Sequence, residues 1–168
     1  MHGALQTHLQ RLLAYHGWAY ARLLTALNTL DEAQYRAPCG LFFGSIHGTL
    51  NHLAVVDRIW LARVRGEAPP FTQLDVEAVS ERAAMESFLQ VGVAAWHNQL
   101  DGLTDVELLT PIAYCNMAGE PFQRPLLDIV SHLVNHGTHH RGQITAALTA
   151  LGQPAPKLDY IYALTELP

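Results

Sequence analysis

An all-α fold is what this sequence predicts: a four-helix bundle whose long crossover between the third and fourth helices carries a short β-hairpin. Three observations lead there. Four segments repeat apolar residues at steps of three and four, which keeps them on one helical face. Glycine and proline clusters separate these segments. Residues 103–124 lose the helical period, and Pro111 and Pro121 there bracket an Asn-Met-Ala-Gly turn, the pattern of a hairpin.

The first helix is expected from Ala4 to Leu30, with Leu5, Leu9, Leu12, His16, Tyr20, Leu23 and Leu27 facing inward. A loop containing Pro38 and Gly40 follows. Ser45 is a good N-cap for a second helix from Ile46 to Arg65. His47, Asn51, Arg58 and Arg65 share one stripe of that helix, expected to face solvent. His52 lies in the opposite, apolar arc with Val55, Val56 and Ile59. After the linker GEAPPFTQ, a third helix is expected from Val76 to Leu100, stopped by Gly102. The last helix starts at Pro125, a first-turn residue, and ends before Gly152 and Pro154. The remaining tail is expected to pack across the bundle.

The chain has 168 residues, which suits one domain over 1–168. Its net charge is −5 and it has one lysine, Lys157, so no basic surface is available to track nucleic acid. No secretory leader or membrane span is visible, and a cytoplasmic protein is expected. Cys39 and Cys115 are far apart, expected in loops, and read as two reduced, unrelated thiols.

Ten residues are histidine, as many as lysine and arginine together. The inward stripe of the last helix runs Ile129, Leu133, His136, His140, Ile144, Ala147, Leu151. His136 and His140 are therefore one turn apart in the middle of an apolar face, the spacing by which two imidazoles chelate one ion. Burying two unpaired imidazoles together is costly, which favours a shared ligand over two satisfied core residues. His52 is the third donor expected, because it alone on the second helix combines an imidazole with the inward arc. His16 is central in the first helix's stripe; it either lines the pocket, where it is the one candidate for a catalytic base, or is a core polar residue. His132 and His139 flank the pair with Asp128 and Gln143. They read as a solvent or interface face, the alternative being that His132, Asp128 or Gln143 orients a ligand ring. His2, His8, His47 and His97 are expected at the surface. Arg141 is expected to make a salt bridge in a helix seam rather than to bind substrate, and Trp18, Trp60 and Trp96 to fill core or seam rather than a pocket wall.

Three neutral nitrogens suit one divalent transition metal, zinc, nickel, iron or cobalt. They leave a coordination position open, as catalytic sites do. Gly137 stands where a zinc protease of the His-Glu-x-x-His type needs its glutamate, so peptidase chemistry is disfavoured. No paired Glu-x-x-His motif, nucleophile elbow or phosphate loop is present. An unperturbed imidazole predicts metal affinity that falls below about pH 6.5.

The stretch GSIHGTLNHLAVVDRIWLARVRGE, then HLVNHGTHHRGQITAALTALGQPAP and the tail DYIYAL, resembles the DinB family, in the DinB/YfiT-like metalloenzyme superfamily. The start of the first helix, with Tyr15 and Trp18, is similar too, with His16 where an asparagine is common. The resemblance implies a four-helix bundle, a divalent metal on a triad matching His52, His136 and His140, and frequent homodimers. It also implies chemistry of the superfamily's bacillithiol- or mycothiol-dependent S-transferases and its mycothiol-dependent maleylpyruvate isomerase. The function expected is thus a metal-dependent, low-molecular-weight-thiol S-transferase acting on a small-molecule thiol and electrophile. The alternative is a non-catalytic, metal-stabilised stress-response binding or dimerisation module.

Overall fold

The computed structural model describes residues 3–167. It is mostly helical, with one two-stranded antiparallel sheet. The elements are α1 (Ala4–Leu27), α2 (Glu32–Arg36), α3 (Ile46–Arg65), α4 (Arg82–Leu100), α5 (Asp105–Leu109), β1 (Pro111–Cys115), β2 (Pro121–Pro125), α6 (Leu126–Ala150) and α7 (Tyr160–Ala163). Helix α1 packs on α4 and α6, and α3 packs on the same two helices.

Local chemistry explains most boundaries. Ser45 Oγ accepts from the Gly48 N–H at the start of α3. Gly66, at φ 69°, ends α3 in the left-handed conformation and lets the Glu67 N–H reach back to the Ala62 carbonyl. The hairpin pairs Ala113 with Gln123, and the Gly119 N–H closes its turn on the Asn116 carbonyl at 3.1 Å. Cys115 therefore closes a strand rather than sitting in a loop.

Two helices are shorter than the periodicity predicts. Helix α1 stops at Leu27 because Asp31 and Gln34 form a capping box that starts the separate helix α2. Arg82 donates to the carbonyls of Leu27 and Leu30 at 2.6 and 2.9 Å. Helix α4 begins at Arg82, not Val76. The Asn51 side chain takes both backbone groups of Val79, accepting its N–H at 2.8 Å and donating to its carbonyl at 3.1 Å. A residue bonded in this way has no group left for a helical ladder.

That contact also corrects the expected solvent stripe of α3. His47 and Asn51 are buried under the 66–81 linker, and His47 Nε2 lies 2.6 Å from the Glu77 carboxylate. Periodicity places residues on a face; it does not reveal that an irregular linker covers that face.

The buried apolar residues form two clusters. One joins Leu23, Leu27, Leu50, Leu53, Ile144 and Leu148. The other joins Leu9, Leu13, Trp96, Leu126, Val130 and Leu133. The α6 residues between Val134 and Ile144 fall between the clusters, and they include His136, His140 and Arg141. The tail returns over the helices, where α7 buries Ala163 and contacts α1.

Candidate metal centre

Helix α6 presents His136 and His140 on successive turns, and α3 presents His52 opposite them. Their ligating atoms gather within 4.8 Å of one another. His136 Nε2 is 3.2 Å from His52 Nε2 and 3.1 Å from His140 Nε2.

The other edges of two rings decide what those nitrogens carry. His52 Nδ1 donates to the Leu74 carbonyl at 2.9 Å, and His140 Nδ1 donates to Gln143 Oε1 at 2.7 Å. Both partners are acceptors, so each Nδ1 holds its ring's proton and each facing Nε2 of the neutral ring is a bare lone pair. His136 can offer a proton to only one of them. A cation satisfies all three nitrogens at once. Two nitrogens bound at 2.0–2.1 Å to a tetrahedral ion stand roughly 3.3 Å apart, close to the spacing here. The residues thus fit one divalent metal.

Burial pushes His52 down to about 4, with the His140 ring adding to the shift and the Leu74 hydrogen bond opposing it. Burial and then the neighbouring His140 and His52 rings push His136 down to about 3. Burial lowers His140 as well. Neutral imidazole is the form a metal takes.

Two partners of the triad escaped sequence reasoning. Phe43 stacks on His52 with ring centroids 3.7 Å apart, and meets His140 edge-on at 5.6 Å. The sequence signal was two phenylalanines between Gly40 and Gly44, both at positive φ, so that a tight turn holds an aromatic pair. The Leu74 carbonyl had no signal, because a backbone oxygen is independent of the side chain.

His16 is fully buried and lies outside the triad. Its Nδ1 accepts from Arg141 Nη1 at 3.0 Å, and its Nε2 is 3.5 Å from Asp57 Oδ2, which also accepts from Tyr20 at 3.4 Å. Burial lowers its pKa against the pull of Asp57. Arg141 makes no salt bridge among the described residues, contrary to expectation, and bonds His16 and Thr138 instead. Gln143 bonds the His140 ring, whereas Asp128 is exposed. His132 is exposed, with its ring 5.8 Å from that of His136 and 5.3 Å from that of Trp60. His139 is exposed beside His140. His8 is exposed as expected, His97 is half-buried against Gln10, and His2 lies outside the described residues.

The DinB family model matches residues 5–166. The chain belongs to the DinB family. This DinB-family chain is 25% identical over 154 residues to Protein DinB of Bacillus subtilis, covering 89% of its own length and 90% of that protein. Its fold is similar to the crystal structure of a DinB-like protein from Bacillus cereus, with a TM-score of 0.60 at 19% identity, covering 83% of this chain and 90% of that one.

Proposed function

We propose that this DinB-family chain is a single-domain, four-helix-bundle metalloenzyme. In this reading it holds one divalent transition metal on His52, His136 and His140 and transfers a low-molecular-weight thiol to an electrophile. The observation that carries the reading is the convergence of three Nε2 atoms, with two of the three Nδ1 protons fixed on the far side. Bound there, the metal would supply Lewis acidity that lowers the pKa of a coordinating thiol. The chain's own part is to hold three imidazoles neutral and aligned, through Leu74 and Gln143, and to shield one flank with Phe43.

A place for a small molecule adjoins the triad. A cavity of about 290 Å³ is lined by Trp60, Tyr114, Arg124, Asp128 and His132, and His132 bridges it to His136. The non-catalytic alternative needs a fourth protein ligand to close the site. The cluster of possible ligands holds three residues among those described, which favours an open position.

Metal analysis of purified wild type beside a His136→Ala, His140→Ala variant tests the site. The expected result is about one metal per wild-type chain and none in the variant. Equal metal content in both would overturn it. Metal-loaded wild type that fails to turn over a panel of cellular thiols and electrophiles would remove the transferase reading and leave the metal reading standing.

A further inference from the structure

On the flank of α6 turned toward α1, a cavity of about 650 Å³ opens between α1, α6 and the segment 156–160. None of the three triad histidines lines it. Its volume is in the range that encloses a small organic ligand. Arg141 stands in its wall, and only 1% of that residue is exposed.

The guanidinium is incompletely matched. Nη1 donates to His16 and Nη2 donates to Thr138 Oγ1 at 3.1 Å, while Nε has no partner. Neither partner is an anion. Asp57, the source of negative charge in this network, makes no salt bridge to Arg141 and reaches it through His16 and Tyr20, and the guanidinium lies over the Tyr15 and Tyr20 rings. Buried guanidinium groups ordinarily sit on carboxylates or phosphates, and the Nε/Nη2 edge is the one that binds them bidentately. Here one donor of that edge rests on a hydroxyl and the other is free.

The rest of the lining agrees. Lys157, the sole lysine, is part of the same lining; its ammonium lies over the Tyr162 ring, 5.5 Å from the centroid, and makes no ion pair among the described residues. Asn135 makes no side-chain hydrogen bond there. Leu12, Val134 and the edge-to-face pair Tyr15 and Tyr160, 5.2 Å apart, supply an apolar wall. Asp159 is the one carboxylate in the lining, and it is exposed.

We infer that this cavity binds a small organic anion, a carboxylate or a phosphate monoester on an apolar body, through Arg141 and Lys157. The site is separate from the metal centre and does not depend on it.

Titration of the ¹⁵N-labelled full chain with phenylacetate, phenyl phosphate and neutral phenylacetamide tests this. Saturable amide shifts are expected with at least one anion, centred on Asn135, Gly142 and Tyr160, with phenylacetamide at least about tenfold weaker. The tighter of the two anions tells a carboxylate source from a phosphate source. Arg141→Lys keeps the charge but removes the bidentate edge, and should weaken the anion at least about tenfold. Should that buried variant fail to fold, the exposed Lys157→Gln decides, with an expected loss of about three- to tenfold. No saturable shift up to about 20 mM, equal binding of the amide, or no effect of Lys157→Gln would each overturn the inference. Shifts centred on Phe43 and His136 would overturn it as well, because they would place the anion at the triad.

Discussion

How each imidazole is anchored decides what a substitution does at the metal centre. Gln143 holds His140 by its Nδ1, so Gln143→Ala frees the ring to rotate without removing a ligand. Metal affinity should fall about 10- to 100-fold, and competition with a chromophoric chelator measures it. An unchanged affinity would show that packing alone orients His140. The lowered pKa values set the acid response. Burial holds His52 near about 4 and His136 near about 3, below the ordinary 6.5. Below 6.5 the unfolded rings take up protons that the folded rings refuse. The metal-free protein should therefore keep this stability above 6.5 and lose it as pH falls through about 4 and then about 3. Urea midpoints that stay constant from about pH 7 to about pH 4 would contradict this. The same burial moves proton competition for metal to more acid pH than an unperturbed imidazole predicts. The pair His136 and His140 was legible in the sequence, because a four-residue step on an apolar stripe is visible in one dimension. The depth of burial was not, because Phe43 and Leu74 reach the site from loops.

Two glycines mark close approaches between elements, Gly48 of α3 against the Phe43 loop and Gly137 of α6 against α1. A Cβ on Gly48 would press into the Phe43 carbonyl oxygen, a backbone atom with little freedom to yield. Gly48→Ala should therefore displace the turn that lays Phe43 on His52, and cost about 1–3 kcal/mol by urea unfolding. Gly137→Ala would place a methyl 2.5 Å from His16 Cε1 and 2.7 Å from Arg141 Nη1. A destabilisation of similar size, about 1–3 kcal/mol, is expected there through the His16 and Arg141 contacts. Wild-type stability in either variant would mean that the neighbouring elements shift freely. Helix α3 was readable to the residue, since Ser45 and Gly66 are strong local signals at each end. The start of α4 was not. Asn51 lies 28 residues before Val79 and removes that residue's backbone groups from any helix, a long-range competition that local propensity does not contain.

Across the whole molecule, the three-histidine group draws on α3 and α6 in the layer between two apolar clusters. A ligand that binds only the folded form stabilises it by mass action. Free zinc at about 100 times its Kd should add about 2.7 kcal/mol, read as a rise in the urea midpoint that a His52→Ala variant lacks. A midpoint insensitive to zinc would argue against a preformed site. The order of the helices and the hairpin were visible in the sequence because they rest on periodicity and on prolines. The cover that the 66–81 linker lays over α3 was hidden, because it depends on contacts between segments far apart in the chain. His52 and His136 stand 84 residues apart. A metal that holds both closes a ring of about half the chain, and topologically it is a cross-link. A covalent bond closing a loop of that size would remove about 4–5 kcal/mol of chain entropy from the unfolded ensemble. This cross-link is reversible: acid or a chelator opens it, and its strength is set by the free metal in the surroundings.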